Sequence, residues 1–158
     1  MKVSNSELKD VIGSGLLAFP VTCFDAAGEF DEAHYRETID ANVAGGAVAL
    51  FAPGGTGEFF SLTVPEYEAV VRAAVQQAAG RLPILAGAGY GTRQAIELAR
   101  RAEAAGADGL LLFPPYLLKC EQAGLFDYVS AVCAATSLGV VVYNRDNAIY
   151  GVETIMRL

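Results

Sequence analysis

The chain has 158 residues, 53% of them hydrophobic and 18% charged, the make-up of one compact globular domain. Eleven Lys and Arg against eighteen Asp and Glu give a net charge of −7, which lacks the basic footprint that phosphate backbones and anionic membranes attract, so neither nucleic acid nor a membrane is an expected partner. A single histidine, His34, and three scattered cysteines, Cys23, Cys120 and Cys133, with no C-x-x-C pair, disfavour zinc and thioredoxin chemistry.

Apolar runs of four or five residues, each ending in a Gly- or Pro-containing turn, begin near Leu16, Ala47, Ile84, Leu110 and Val140, about 26 to 37 residues apart. One strand-helix-strand unit needs roughly 30 residues, so the spacing predicts five parallel strands with helices between them. The runs lack polar alternation, which predicts that both faces of every strand are covered. After the first strand, Asp31 is a cap for a helix carrying Tyr35, Ile39 and Val43 and stopping at Gly45 and Gly46. After the second, Thr63-Val64-Pro65-Glu66 is a capping box that opens a helix with the stripe Tyr67, Val70, Val71, Ala74 and Ala78, ended by Gly80. A third helix opens at Thr92, continues through Ile96, Ala99 and Glu103 and breaks at Gly106. A fourth is predicted from Glu121 to Ala135 with Leu125, Tyr128, Val129 and Val132 inward, and a fifth starts at Gly151. No linker or low-complexity tract divides the chain, so residues 1–158 read as one unit.

The odd cysteine count and the lack of a cationic segment followed by an apolar run and cleavage site point to a cytoplasmic protein. The apolar runs at 110–113 and 140–143 are too short to span a bilayer.

In parallel α/β folds functional groups gather beyond the carboxyl ends of strands. There the sequence places Pro20-Val21-Thr22, then Pro53-Gly54-Gly55-Thr56-Gly57-Glu58, then Gly87-Ala88-Gly89-Tyr90, then Phe113-Pro114-Pro115-Tyr116, and last Tyr143-Asn144-Arg145-Asp146. The turn from Gly54 to Glu58 offers backbone N–H groups and the Thr56 hydroxyl to a carboxylate, although a tight connection would need the same glycines. Glu58 repels a polyanion, and there is no phosphate-binding G-x-x-x-x-G-K-[ST]. Tyr143, at the end of an apolar strand, is a proton relay or a core aromatic. Arg145 pairs with a substrate carboxylate or with Asp146 in solvent. His34, in the first turn of an outer helix, is a surface residue.

Together, Gly54-Gly55-Thr56-Gly57-Glu58 with Phe59-Phe60-Ser61-Leu62-Thr63 and Glu66, Gly87-Ala88-Gly89, Pro115-Tyr116 and Tyr143-Asn144 resemble the dihydrodipicolinate synthase and N-acetylneuraminate lyase superfamily over residues 16–144. The resemblance implies Schiff-base lyase chemistry on a (β/α)8 TIM barrel, with no metal or organic cofactor. Gly55 stands where the synthases carry a first threonine, Leu117 where they carry a second tyrosine, and the residues after Tyr143-Asn144 also depart from the synthases. This version is similar to the decarboxylating sugar-acid dehydratases of the superfamily. The resemblance implies a catalytic role for Thr56 and Tyr143. Thr56 and its neighbouring amides would hold the carboxylate beside the reacting ketone, and Tyr143 would shuttle protons.

Gly55, Thr56, Gly57, Tyr143 and Arg145 then form the expected binding set for a small 2-oxo sugar acid, in a homo-oligomer. The imine lysine of the superfamily ends a sixth strand, and none of Lys2, Lys9 or Lys119 follows one. A full barrel takes about 250 residues, so the chain is expected to be the amino-terminal portion of such a barrel, roughly its first five βα units, and inactive alone. The alternatives are a five-stranded flavodoxin-like sheet, which five βα units also suit, and, for function, a non-catalytic carboxylate-binding or assembly module or another 2-oxo-acid lyase or aldolase of the same superfamily.

Overall fold

The computed structural model describes residues 4–115, 119–145 and 147–158. Lys2, Tyr116, Leu117 and Asp146, and with them the second half of the Pro115-Tyr116 motif and the Arg145–Asp146 pairing, lie outside the described residues. Five strands, β1 (Leu16–Ala18), β2 (Ala47–Phe51), β3 (Ile84–Ala88), β4 (Gly109–Leu112) and β5 (Gly139–Val142), form one parallel sheet in the order β1-β2-β3-β4-β5. Five parallel strands suit both a half-barrel and a flavodoxin-like sheet. The order distinguishes them, because the flavodoxin-like order is 2-1-3-4-5 and this sheet has no reversal. The sheet is the curled first part of a barrel.

The helices are α1 (Asn5–Ile12), α2 (Glu32–Ala44), α3 (Val64–Ala78), α4 (Thr92–Ala105), α5 (Gln122–Cys133) and α6 (Val152–Arg157). Asp31 caps α2 by accepting from the His34 N–H, and Tyr35 and Ile39 are its buried pair. The Thr63–Glu66 box closes in both directions at the start of α3, whose stripe Tyr67, Val70, Val71, Ala74 and Ala78 is buried as the spacing predicts. This helix ends one residue before Gly80, at Ala79 in the left-handed region. α4 starts after Gly91 with no side-chain cap and buries Ala95, Leu98, Ala99 and Ala102, which turns Ile96 to the margin. No helix among the described residues is long and apolar enough to cross a membrane.

Strand register sorts the sheet into two faces. Leu50 pairs with Ile84 and Ala86 with Leu110, so these side chains share the face on which the helices lie. There Leu50 and Ile84 pack with Tyr35 and Ile39 of α2 and Val70 and Ala74 of α3. Leu17, Phe51, Leu85, Gly87, Leu111 and Val141 share the opposite, inner face.

α1 was not predicted, and it closes the amino end of that inner face. Leu8, buried within it, lies so close that a Cβ at Gly109 would stand 2.7 Å from its Cδ2 and one at Gly139 3.4 Å. Burying one leucine contributes about 1.5–3 kcal/mol. The expectation that both faces of every strand are covered holds for β3 and β4, whose residues are all buried. It fails at the edges, where β5 is half-buried throughout and Leu16 of β1 is 61% exposed. The physical reason is that the two edge strands have a neighbour on one side only.

Candidate active site

At the carboxyl end of β2 the chain turns through Pro53 to Glu58 and enters a short 3₁₀ turn, Phe59–Ser61. The turn holds itself with two backbone bonds, Glu58 N–H to Gly55 O at 3.2 Å and Phe59 N–H to Gly54 O at 3.2 Å. Of the N–H groups from Gly54 to Glu58, that of Glu58 is therefore spent inside the turn, which narrows the outward part to its middle. Gly55 and Thr56 there are exposed, while Gly57 is buried. Glu58, at φ 61°, turns its carboxylate back to accept from the Ser61 hydroxyl at 2.6 Å.

The exit of β1 clamps this turn, a contribution the sequence reading passed over because it looked only for ligand donors. The buried Thr22 hydroxyl donates to Gly57 O at 2.6 Å, and Pro20 O lies 2.9 Å from where a Gly57 Cβ would stand. Phe19 stacks on Phe51 at 4.7 Å between ring centroids and covers Gly54, where a Cβ would meet Phe19 Cδ1 at 2.9 Å. Run together, Phe19-Pro20-Val21-Thr22 is a bracket for the glycine turn.

Gly87 of β3 sits under the other side of the turn. Its N–H donates to Pro53 O at 3.1 Å, and its O accepts from the Tyr67 hydroxyl at 2.7 Å. Burial pushes the Tyr67 phenol well above its ordinary range, so it stays protonated and serves as a donor. A side chain at Gly87 would collide with Pro53, Phe59 and Phe113 at once. This is why the third motif is glycine.

Tyr143 follows β5, its register fixed by its N–H donating to Leu112 O at 3.0 Å. It is 37% exposed, so the structure places it at the rim of the site and not in the core. Its ring meets Phe113 edge-on at 5.8 Å, and Phe113 stacks on Phe59 at 4.9 Å, directly after the glycine turn. The structure therefore joins Tyr143 to the Thr56 turn through two aromatic contacts. The Arg145 guanidinium lies 5.9 Å from the Tyr143 ring centroid, and Arg145 is exposed beside it. The following loop is folded by Ala148 N–H to Arg145 O at 2.8 Å and by Tyr150 N–H to the Asn144 Oδ1 at 3.0 Å. Asn144 thus shapes the loop that carries Arg145.

His34 lies on the surface of α2, in its first turn, paired with Asp31 at 2.5 Å. Among the described residues no cluster of three or more His, Cys, Asp or Glu is placed to hold a metal ion. Of the lysines within the described residues, Lys9 is exposed on α1 and Lys119 is exposed just before α5, so neither ends a strand.

The profile of the dihydrodipicolinate synthetase family matches residues 13–158. A protein of Pseudarthrobacter chlorophenolicus named "Probable 5-dehydro-4-deoxyglucarate dehydratase" is 56% identical over 157 residues, covering 99% of this chain and 52% of that protein. One of Rhizobium rhizogenes with the same name is 57% identical over 152 residues, 96% of this chain and 50% of that protein. Among solved structures, the chloride-inhibited dihydrodipicolinate synthase from Acinetobacter baumannii complexed with pyruvate superposes with a TM-score of 0.86 at 32% identity, covering 91% of this chain and 51% of its own. Dihydrodipicolinate synthase from Bacillus anthracis gives a TM-score of 0.84 at 31% identity, covering 89% and 50%. The chain spans about half the length of the curated relatives it matches.

Proposed function

We propose that this chain, which belongs to the dihydrodipicolinate synthetase family, carries the carboxylate-binding and proton-relay half of a 5-dehydro-4-deoxyglucarate dehydratase. The reaction converts 5-dehydro-4-deoxy-D-glucarate to 2,5-dioxopentanoate with release of water and carbon dioxide. The observation that carries this reading is the Gly55-Thr56-Gly57 turn, clamped by Thr22 and Gly87, linked through Phe59 and Phe113 to Tyr143. Similarity to relatives bearing the dehydratase name over nearly the whole chain supports the choice of branch. So does Gly55, where nothing lies within 4 Å of an added Cβ, so the space a synthase threonine would fill is open.

In this reading Thr56 and the adjacent amides bind the carboxylate beside the substrate ketone. A lysine condenses with that ketone and expels water. The resulting iminium withdraws electrons, so the neighbouring C–H is acidified and the hydroxyl one carbon further leaves as water. After water has left, the same electron sink, extended through the new double bond, accepts the bonding pair when the carboxylate at the far end of the substrate departs as carbon dioxide, and hydrolysis of the imine returns the lysine. Tyr143 moves the protons of imine formation and elimination, and Arg145 pairs with a substrate carboxylate. Neither Lys9 nor Lys119 is placed for the imine, so the nucleophile comes from the part of the relatives that this chain does not span, and the 158 residues alone are inactive.

The reaction needs no metal or organic cofactor. The enzyme works as a homo-oligomer in the cytoplasm, a compartment in keeping with three cysteines that form no disulfide. The test is borohydride reduction with pyruvate of a chimera in which these 158 residues are joined to the remainder of the Pseudarthrobacter relative. A stable adduct on a lysine of the added part is expected. An adduct on Lys9 or Lys119, or none at all, would refute the reading.

A further inference from the structure

Tyr143 and Arg145 are neighbours in sequence but are held by different means. Tyr143 belongs to the sheet ladder, through its N–H bond to Leu112 O at 3.0 Å, and its ring meets Phe113 edge-on. Arg145 lies beyond the ladder, on the connection from β5 to α6, so its place depends on how that connection is held. From within, Ala148 N–H donates to Arg145 O at 2.8 Å and Tyr150 N–H to Asn144 Oδ1 at 3.0 Å, and Ala148 and Tyr150 are buried. These bonds give the loop its shape.

Two side-chain amides then tie the loop to the neighbouring unit. Asn147 Nδ2 donates to Pro115 O at 2.6 Å, beyond the end of β4. Gln122, the first residue of α5, holds the other end of the loop with both ends of its amide. Its Nε2 donates to Ile149 O at 2.8 Å, while its Oε1 accepts from Gly151 N–H at 2.7 Å and from the Thr154 hydroxyl at 2.7 Å. A carbonyl must be met by the amino group and an N–H by the oxygen, so these partners fix the orientation of the amide and occupy both lone pairs of its oxygen. Gln122 lies in none of the strand-end motifs, and nothing near it in sequence shows this role.

We infer that Gln122 is a positioning residue for recognition of the substrate's far carboxylate, acting through the loop that carries Arg145. The inference rests on the proposed function for a substrate with two carboxylates. The carboxylate beside the ketone is taken by the Thr56 turn, so the one left for Arg145 is at the other end of the carbon chain. A guanidinium on a loop holds a carboxylate tightly only when the loop is ordered beforehand, because ordering it on binding costs affinity. Tyr143 is set by the ladder, so loss of Gln122 acts on binding of the far carboxylate and not on the proton relay.

The test is calorimetric binding of two 2-oxo acids to the chimera. One is 2-oxoadipate, which has the diacid skeleton of the substrate without its hydroxyls, so it can form the imine but cannot lose water from it. The other is pyruvate, which has only the carboxylate beside the ketone. Gln122→Leu, at an exposed position, should weaken 2-oxoadipate about tenfold and leave pyruvate within about twofold of the parent. Gln122→Glu keeps the acceptor for Gly151 and Thr154 and should recover most of the lost affinity. Arg145→Gln should itself weaken 2-oxoadipate, and in that background Gln122→Leu should have no further effect, since a residue acting through Arg145 cannot act without it. Unchanged binding of 2-oxoadipate by Gln122→Leu, equal weakening of both acids, or an undiminished effect in the Arg145→Gln background would overturn the inference. Selective weakening of 2-oxoadipate in a chimera that leaves 5-dehydro-4-deoxy-D-glucarate unconverted would support the positioning role and count against the dehydratase reading.

Discussion

Replacing Gly87 by alanine should unseat the candidate site from beneath. The added Cβ would stand 2.6 Å from Pro53 O, 2.8 Å from Phe59 Cδ2 and 3.0 Å from Phe113 Cε2. Carbon and oxygen rest comfortably at about 3.3–3.6 Å and two carbons at about 3.5–4.0 Å. Pro53 must therefore retreat by roughly 0.7 Å and the two rings by roughly 0.5–1 Å, in a region where all three are buried. The Gly87 N–H bond to Pro53 O, already 3.1 Å long, stretches with that movement. Overpacking of this kind costs about 1–3 kcal/mol, and the upper end applies because the nearest atom is backbone and cannot rotate away.

At about 2–4 °C per kcal/mol for a chain of this size, the melting temperature falls by roughly 4–12 °C. Gly55→Ala is the matched control, with nothing within 4 Å of its Cβ and no left-handed φ. Its stability should be unchanged or higher by up to about 1 kcal/mol. Both are read by urea denaturation at equal protein concentration, with the slope checked for constancy. Midpoints for Gly87→Ala equal to those of Gly55→Ala would refute the packing argument, and with it the reason given for the third glycine motif.

In the chimera, Thr56→Val should weaken substrate binding by about 1–3 kcal/mol through loss of an anion donor, seen in KM and kcat/KM. Tyr143→Phe in the same chain should lower kcat about 100-fold with a smaller change in KM; turnover at the parent level would make the tyrosine a packing residue. Asp31 holds the His34 imidazole above its ordinary value of 6.5, and His34 holds the Asp31 carboxyl below 3.8. The histidine contribution to stability is therefore complete below about pH 6.5 and lost as pH rises through the folded-state value, while that of Asp31 is complete above about pH 3.8 and lost as pH falls through its own. The stability difference between the parent and His34→Gln should accordingly shrink between pH 6 and 9, and an unchanged difference would show that the pair is inert. Leu8→Ala should cost about 2–5 kcal/mol by opening a cavity against Gly109 and Gly139, measured by denaturant midpoint; a loss below about 1 kcal/mol would mean that α1 is not a plug.

What the sequence made legible was whatever is decided locally. Continuous apolar runs with turn residues behind them marked all five strands, and the Thr63–Glu66 box marked the start of α3 because capping chemistry lies within four residues. α1 has the same signature at Ser4 and Glu7, and it closes in both directions. It was missed because its apolar pattern is short and its burial comes from a distant partner, Leu8 against Gly109 and Gly139. The candidate site was legible as a list of strand ends but not as an arrangement. Nothing near Phe19 or Phe113 in sequence shows that one ring covers Gly54 or that the other bridges Phe59 to Tyr143. The engaged N–H groups of Glu58 and Phe59 were likewise invisible, since they depend on how the turn closes on itself.

The dehydratase assignment is tested most directly by giving the chimera a choice of chemistry and identifying the products. With 5-dehydro-4-deoxy-D-glucarate it should release equal amounts of 2,5-dioxopentanoate and carbon dioxide, and Tyr143→Phe should suppress both together. Condensation of pyruvate with an aldehyde, or cleavage of N-acetylneuraminate, with the glucarate derivative left untouched, would contradict it.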